Sequence, residues 1–232
     1  LFAAAQTLEN LLDEFKLKNS KIIIQGFGNV GCPIALKLAQ KGAVIVGVSD
    51  INCALWDPKG LDMNELCKIR KLKGGLSLYS KSVEKRFGPE KLDWLLEAPC
   101  DILIPAARPD AITSKNIDRI DCRVILQGAN SPSSKPVEYY LTHRRNILSL
   151  TDFIVNAGGV IGCAVERRMS ENTAYGNKVK ANGTRFYTEN LIFDTISKNM
   201  KEIFKRMKED CIFRDVATDL AYERINTQEV WL

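Results

Sequence analysis

The chain has 232 residues, of which 45% are hydrophobic and 26% are charged, with a formal net charge of +5. These values are those of a globular protein with a sizeable core, and they argue against a disordered chain. Basic residues occur in scattered groups, such as 68–73, 144–145 and 167–168, with acidic residues between the groups, so a solvated surface is favoured over a nucleic-acid-binding patch.

The seven cysteines exclude two common frameworks. Their number is odd and no Cys-x-x-Cys pair occurs, which argues against both a disulfide scaffold and a zinc site. We therefore predict no metal and a cytoplasmic location. No apolar stretch approaches the roughly 20 residues of a membrane span, so no membrane partner is predicted. Because the chain starts at Leu1 inside a predicted helix, we expect it to be part of a longer polypeptide.

The first elements form a strand–helix–strand unit. Apolar residues at helical spacing predict a helix over Phe2–Leu17. The segment Lys21–Gln25 is almost wholly apolar, which is typical of a strand buried on both faces of a parallel sheet. A helix over Asn29–Lys41 and a second strand over Ala43–Val48 follow, and we expect a right-handed connection between the strands.

The rest of the chain alternates helices and strands and then becomes helical. Short apolar runs predict further strands, and periodic segments predict helices. The predicted strands are 101–104, 123–126 and 147–150, and the predicted helices are 61–72, 89–97, 112–120, 136–143, one starting near residue 159, one around 191–207 and 213–225. The stretch 172–183 has the most loop-like composition.

A glycine-rich turn joins the first strand to its helix. Its sequence is Gly26-Phe27-Gly28-Asn29-Val30-Gly31, a G-x-G-x-x-G pattern in the context that dinucleotide binding requires. Gly26 permits the tight turn, Gly28 lets a pyrophosphate approach the backbone, and Gly31 lets the helix lie close to the sheet. The helix N-terminus supplies N–H groups and positive partial charge for phosphates. The alternative is a purely structural glycine turn.

Together these elements predict an α/β fold. We expect a Rossmann-type doubly wound, mostly parallel sheet with flanking helices and a helical C-terminal segment. The whole chain, 1–232, is predicted to be a single dinucleotide-binding domain, with a leading helix at 1–18, the Rossmann core at 19–160 and C-terminal helices at 161–232.

Asp50 ends the second strand, 19 positions after Gly31 (50 − 31). An acidic residue at this spacing usually binds the ribose hydroxyls of the adenosine, which favours NAD over NADP. Ser49 and the nearby Lys59 leave NADP open. An ordinary strand-end cap is the alternative role for Asp50.

Small and amide side chains follow three later strands, in Pro105-Ala106-Ala107, Gly128-Ala129-Asn130 and Asn156-Ala157-Gly158-Gly159. Ligands of open α/β sheets bind at the carboxyl ends of the strands. Small residues let a planar cofactor pass close to the backbone, and Asn130 and Asn156 can both donate and accept hydrogen bonds. Each segment alone is more often a simple turn than a site, and their occurrence together favours a site.

Taken together, these motifs resemble the coenzyme-binding domain of the glutamate/leucine/phenylalanine/valine dehydrogenases, most closely the glutamate dehydrogenases. The matching strings are 25–31, 48–50, 100–107, 127–130 and 156–160, and residues 217–225 resemble the closing helix of that family. The resemblance implies that Gly26 to Gly31 bind the pyrophosphate and that Asp50 lies near the adenosine ribose. It places Ala106 and Ala107 in the cofactor groove, and Asn130 and Asn156 near the nicotinamide and its ribose.

The resemblance also implies a reaction, the reversible oxidative deamination of an L-amino acid, here expected to be glutamate, to a 2-oxo acid and ammonia. The coenzyme would be NAD, with NADP as the alternative. The catalytic lysine and aspartate of the family lie in a preceding domain, so we assign no catalytic residue here and expect this chain alone to be inactive. The family forms symmetric assemblies, which implies a homo-oligomeric full-length protein, whereas this part alone could be monomeric.

Three positions depart from the family pattern. Gln127 stands where the family usually has Glu, residues 131–134 replace a Gly-Pro-Thr run, and Cys163 stands where a serine often contacts substrate. Cys163 is therefore either a substrate contact or a small buried residue at the start of a helix.

Two other classes of protein fit the fold. One is a non-catalytic nucleotide-binding or sensing protein, and the sequence upstream of this chain would decide between it and the dehydrogenase. The other is a different Rossmann enzyme with a complete active site here. The lack of a plausible acid–base pair in the predicted groove argues against that alternative.

Overall fold

The computed structural model describes residues 1–227, and a seven-stranded sheet runs through their centre. The sheet order is β4-β3-β2-β1-β5-β6-β7. The strands β1, β2, β5, β6 and β7 are parallel, whereas β3 is antiparallel to β2 and to β4. The strands are β1 (Lys21–Gln25), β2 (Val44–Ser49), β3 (Ala54–Trp56), β4 (Lys85–Phe87), β5 (Ile102–Pro105), β6 (Val124–Leu126) and β7 (Leu148–Leu150).

Helices cover the sheet and form the C-terminal part of the described chain. The α-helices are α1 (Phe2–Leu11), α2 (Gly31–Gln40), α3 (Met63–Ile69), α4 (Lys135–Arg145), α5 (Asp152–Val155), α6 (Gly158–Glu171), α7 (Thr173–Ala181), α8 (Thr184–Arg206) and α9 (Phe213–Asn226). Short 3₁₀ helices span Gly75–Leu78, Pro89–Glu97 and Ile117–Arg119. Among these elements, none has the length and apolar character that crossing a membrane requires.

Both faces of the sheet are buried, because successive side chains of a strand point to opposite faces. In β1, Ile22 and Ile24 pack into the core that contains α1, α2, α8 and α9, and Ile23 packs into the core on the other face. All three side chains are fully buried. The doubly wound α/β fold predicted from the sequence is confirmed.

The order in which the chain adds strands to the sheet reverses at β1. From β1 it moves outward through β2, β3 and β4, and it then returns to place β5 on the other side of β1. Ligands of such sheets bind at this crossover point, at the carboxyl ends of the two central strands. Gln25 of β1 pairs with Pro105 of β5, so the glycine-rich turn and Ala106 are neighbours at that edge.

Several predicted elements were wrong in extent or type. The first helix ends at Leu11 instead of Leu17, and the Glu9 carboxylate accepts a hydrogen bond from Leu17 N at 2.8 Å, which folds the intervening segment back. Residues 112–120 contain only a 3₁₀ turn, because Asn116 accepts from Thr113 N and donates to Ala111 O. Residues 89–97 are helical as predicted, but they form a 3₁₀ helix, which the sequence did not indicate.

The stretch 172–183 is mainly helix, not loop. Asn172 caps α7 by accepting a hydrogen bond from Tyr175 N at 3.0 Å, and its loop-like composition conceals this start signal. The strands β3 and β4 were not predicted. Each has only three residues, and β4 begins with Lys85 and Arg86, so it lacks the apolar run that marks the equally short β6 and β7. The proposed division of the chain at residues 18 and 160 stays a prediction. The last five residues of its C-terminal part, 228–232, lie outside the described residues.

Candidate functional site

The glycine-rich turn is fastened to the neighbouring strand through its backbone. Gly26 N and Phe27 N both donate to Ser49 O, at 3.0 and 2.6 Å. Gly26 has φ +94°, a conformation that favours glycine. The Phe27 side chain is buried in the core, so only its backbone can serve a ligand. A Cβ on Gly31 would lie 2.0 Å from Gly26 O, so this position also requires glycine.

The outer part of the turn is open. Gly28, Asn29 and Val30 are exposed, and a Cβ on Gly28 would meet no atom within 4 Å. Since α2 begins at Gly31, its N-terminus lies directly beside this open space. Free backbone and a helix N-terminus together suit a phosphate group. The residues present therefore fit the pyrophosphate of a dinucleotide.

Small residues form the floor of the groove beside the turn. A Cβ on Gly26 would lie 2.9 Å from Ala107 Cα, and a Cβ on Gly128 would lie 2.9 Å from Ala106 Cβ. Backbone bonds fix this edge, since Ala106 N donates to Gln25 O at 2.8 Å and Gly128 N donates to Pro105 O at 3.0 Å. The ends of β1, β5 and β6 thus meet with little side-chain volume above them.

The two asparagines lie in different surroundings. Asn156 lines a cleft of about 190 Å³ together with Val30 of the turn, Pro33 of α2 and Gly158 and Gly159 of α6. Asn130 is exposed after the end of β6. The structure thus brings Asn156 to the turn, and the nicotinamide contacts of both residues stay predictions.

Asp50 already holds three backbone groups. Its Oδ1 accepts from Asn52 N at 2.8 Å and from Cys53 N at 2.9 Å, and its Oδ2 accepts from Leu76 N at 2.8 Å. A carboxylate offers about four lone-pair sites, so one remains. Asp50 therefore orders the loop at the end of β2, which agrees with the alternative role of a strand-end cap. Its contact with the ribose stays a prediction.

The positions of two basic residues differ from those expected from the sequence. Lys59 was considered a contact for NADP, yet it shares a cavity with Val44 and Ile45 at the start of β2, the opposite end of the strand from Asp50. Arg70, in the basic run read as solvated surface, donates from Nη1 to Gly28 O at 3.0 Å. The sequence carried no signal for this contact, because it links residues far apart in the chain.

Cys163 lies on α6 and is exposed, so the expectation of a small buried residue was wrong. Its side chain lies on the solvent side of the helix, whereas Val165 is buried. A substrate contact of Cys163 stays a prediction.

A buried polar network lies behind the end of β6, and it was not predicted. Gln127 is fully buried, and its Nε2 lies within hydrogen-bond distance of Ser133 Oγ (2.9 Å), Glu138 Oε1 (2.7 Å) and Ser149 Oγ (3.0 Å). Arg214 of α9 donates to both carboxylate oxygens of Glu138, at 2.7 and 2.9 Å. Four separate elements contribute to this network.

One guanidinium faces two carboxylates in the network. Burial lowers the pKa of Arg214, but its hydrogen bond to Glu138 and the charges of Glu138 and Asp152 outweigh burial, so the pKa is raised. Asp152 in turn accepts from Ser131 N at 2.8 Å, and Ser131 has φ +46°. The network therefore holds the backbone that follows Asn130. Within residues 1–227, no group of three or more His, Cys, Asp or Glu side chains could hold a metal ion.

Fold and site together define a class. A doubly wound sheet with a glycine turn at its crossover point, open above Gly28, is the architecture of a dinucleotide-binding protein. A model of the family described as Glutamate/Leucine/Phenylalanine/Valine dehydrogenase matches residues 1–230. The chain belongs to this family.

Curated relatives agree with this assignment. Glutamate dehydrogenase of Aeropyrum pernix is 39% identical over 150 residues, which cover 65% of this chain and 34% of the relative. NADP-specific glutamate dehydrogenase of Saccharolobus shibatae is 32% identical over 212 residues, covering 90% and 47%. NAD-specific glutamate dehydrogenase of Staphylococcus aureus is 34% identical over 190 residues, covering 80% and 44%. The chain thus spans less than half the length of each of these relatives.

Solved structures share the fold. The hetero-hexameric glutamate dehydrogenase of Thermus thermophilus superposes with a TM-score of 0.75 at 19% identity, covering 97% of this chain and 51% of that one. Glutamate dehydrogenase 2 of Plasmodium falciparum gives 0.71 at 24% identity, covering 99% and 52%.

Proposed function

We propose that this chain is the coenzyme-binding part of an NAD(P)-dependent amino-acid dehydrogenase. The reaction would be the reversible oxidative deamination of an L-amino acid, with glutamate as the proposed substrate, to a 2-oxo acid and ammonia. The observation that carries the proposal is the open space above Gly28 at the crossover point, beside the start of α2. The names of the relatives support glutamate as the substrate.

The residues of this chain bind and orient the coenzyme. The turn would hold the pyrophosphate over Gly28, and the remaining acceptor site of Asp50 would hold an adenosine ribose hydroxyl. Ala106 and Ala107 leave room for the cofactor to cross the sheet edge, and Asn156 would hold the nicotinamide end, with Asn130 as a further contact. A bound nicotinamide supplies hydride exchange with the substrate carbon.

We propose NAD as the coenzyme and keep NADP as the alternative. The carboxylate of Asp50 would repel a 2′-phosphate, which supports NAD. Relatives named as NAD-specific and as NADP-specific both match the chain, and they support either choice.

The groups that act on the amino acid are proposed to lie outside this chain. The relatives are about twice as long as the part that matches, which supports a second domain that carries the substrate chemistry. Closure of the two domains would exclude water and bring substrate to the nicotinamide. We further propose a homo-oligomeric whole protein in the cytoplasm. The seven free cysteines support a reducing compartment.

Titration with NADH, followed by its fluorescence, tests the proposal. The chain should bind NADH saturably, and Gly28→Ala should raise the Kd at least about tenfold, since the added methyl occupies the phosphate space. The matched control is Gly162→Ala in α6, because a Cβ there also meets nothing within 4 Å. This control should bind like the wild type.

Two outcomes would contradict the proposal. One is the absence of saturable binding by the wild type at millimolar NADH. The other is an unchanged Kd in Gly28→Ala. The chain alone should not oxidise glutamate, and activity of this chain on glutamate would place the chemistry within it.

A further inference from the structure

Two cysteines meet beside the coenzyme turn. Cys32 is the second residue of α2, Cys67 lies on α3, and their Sγ atoms are 3.6 Å apart. Cys32 is 3% exposed and Cys67 is half-buried. Neither thiol has a role in the proposed function. A disulfide bond requires about 2.05 Å between the sulfurs, so closing this gap takes a movement of roughly 1.5 Å.

Both helices that carry these thiols are attached to the turn. Cys32 directly follows Gly31, whose backbone packs so tightly on Gly26 that a Cβ would lie 2.0 Å from Gly26 O. Arg70, at the end of α3, donates to Gly28 O at 3.0 Å. A movement of α3 towards α2 therefore changes the contact that holds the open part of the turn.

We propose that Cys32 and Cys67 form a reversible disulfide that weakens dinucleotide binding at the adjacent turn. Formation of the bond is independent of the proposed function, whereas its effect on the coenzyme rests on it. Linkage makes the coupling mutual, so bound coenzyme opposes the disulfide as much as the disulfide opposes binding. Transient disulfides of this kind occur as redox sensors in reducing compartments.

The oxidant is a low-molecular-weight disulfide, RSSR. The Cys67 sulfur, which is the more exposed, attacks one sulfur of RSSR as the thiolate and releases RS⁻. Cys32 then attacks Cys67 Sγ and releases the second RS⁻. The two thiol protons go to the two RS⁻ groups, so two cysteine thiols and RSSR give one protein disulfide and two RSH. Two electrons pass to RSSR.

The environment of Cys32 suits the second, resolving role. Burial, the hydrogen bond with Cys67 and the charge of Cys67 raise the pKa of Cys32 to about 11, while Arg70 and Lys71 act in the opposite direction. Cys32 is thus a poor first nucleophile towards a dissolved oxidant. Once Cys67 is in a mixed disulfide, Cys32 already lies beside the sulfur that it must attack.

A second cysteine pair provides a matched control. A hydrogen bond with Cys122 and burial raise the pKa of Cys100. These residues precede β5 and β6, so they lie at the amino ends of the strands, at the opposite edge of the sheet from the turn. Oxidation of that pair should leave the coenzyme site unchanged.

The test equilibrates the chain with oxidised and reduced glutathione, followed by alkylation, digestion and mass spectrometry. Peptides linked through Cys32 and Cys67 should appear in the wild type and in the double variant Cys100→Ala/Cys122→Ala. In both, oxidation should raise the Kd for NADH about tenfold, within the usual range of coupling, and dithiothreitol should reverse the change. Saturating NADH should reduce the amount of linked peptide.

Cys67→Ala should bind NADH like the reduced wild type and should not respond to oxidation. The absence of the Cys32–Cys67 link, or a link that leaves the Kd unchanged, would overturn the inference. If the reduced wild type does not bind NADH, the proposed function fails and the coenzyme effect fails with it. Because the link is read from peptide mass alone, that outcome is distinct from failure of the disulfide to form.

Discussion

The turn between β1 and α2 and the network behind β6 are built in opposite ways. The turn consists of consecutive residues, and its geometry depends on backbone and on the absence of side chains at Gly26 and Gly31, while Gly28 leaves the space above it open. The network consists of side chains from distant parts of the chain, among them Glu138 and Arg214, which are 76 positions apart. The turn has its outer face open, whereas the network is nearly closed to solvent.

This difference separates binding from stability. A ligand needs an open surface with unused backbone groups, and the turn offers both. A buried cluster of charges contributes to holding the fold only while every member has a partner. We therefore expect changes in the turn to affect coenzyme affinity most and changes in the network to affect the free energy of unfolding most.

The largest effect on stability is expected from Arg214→Met. The change leaves the carboxylates of Glu138 and Asp152 buried without their cation, and loss of one partner of a buried pair costs about 3–5 kcal/mol. Urea denaturation measures this cost. Arg206→Met is the control, because Arg206 pairs with Glu202 and Glu223 on the surface and should cost little.

Arg214→Met also tests the separation directly. At a urea concentration of zero and low temperature, where the variant stays folded, its Kd for NADH should change far less than that of Gly28→Ala. A loss of affinity as large as in Gly28→Ala would show that the network belongs to the binding site, and the contrast between the two regions would fail.

Gly31→Ala should affect both properties. Its Cβ would lie 2.0 Å from Gly26 O, so the turn must shift, and overpacking of this kind costs about 1–3 kcal/mol. NADH binding should be lost at concentrations that saturate the wild type. Thermal unfolding and NADH titration measure the two effects. An unchanged Kd would mean that the close approach of α2 to the sheet does not shape the site.

The smallest effect concerns the protonation of Cys32. The pKa of about 11 predicts that alkylation of Cys32 by iodoacetamide has its midpoint near that pH. In Cys67→Ala the midpoint should fall, because the hydrogen bond with Cys67 is removed, but burial should keep it above 9.0. A raised pKa means that folding favours the protonated thiol, so this contribution to stability is present below pH 9 and is lost as the pH rises towards 11.

Mass spectrometry of the Cys32 peptide against pH measures the midpoint. Wild-type and variant midpoints that coincide would show that Cys67 contributes nothing to the protonation of Cys32. The proximity of the two sulfurs would then have no effect on the pKa of Cys32.

Local pattern explains which parts of the fold could be predicted. The strand Lys21–Gln25 and the turn after it could be predicted from local sequence alone. A continuous apolar run is typical of a buried parallel strand, and the spacing of the glycines is typical of a phosphate-binding turn. The position of Ala106 beside the turn followed from the rule for strand ends. The family, the sheet type and the class of cofactor site were therefore accessible.

Contacts across the chain explain what was missed. Arg70 lies in a basic run that looks like solvated surface, and only the packing of α3 brings it to Gly28. Gln127 was noted only as a departure from the pattern of the resemblance, and its place among Ser133, Glu138 and Ser149 depends on two further elements, α4 and β7. Asp50 was singled out by its spacing from Gly31, but that spacing carries no signal for the loop bonds that use most of its oxygen lone pairs.

The short antiparallel addition to the sheet also has a consequence for solubility. An exposed edge strand can pair with another chain, and such pairing leads to aggregation. The outer strand β4 has three residues, of which Lys85 and Arg86 are exposed. Lys85 Nζ lies over the rings of Trp94 and Trp56, at 4.5 and 5.4 Å from their centroids. The sheet therefore ends in a short, positively charged border that disfavours continuation into a neighbouring molecule.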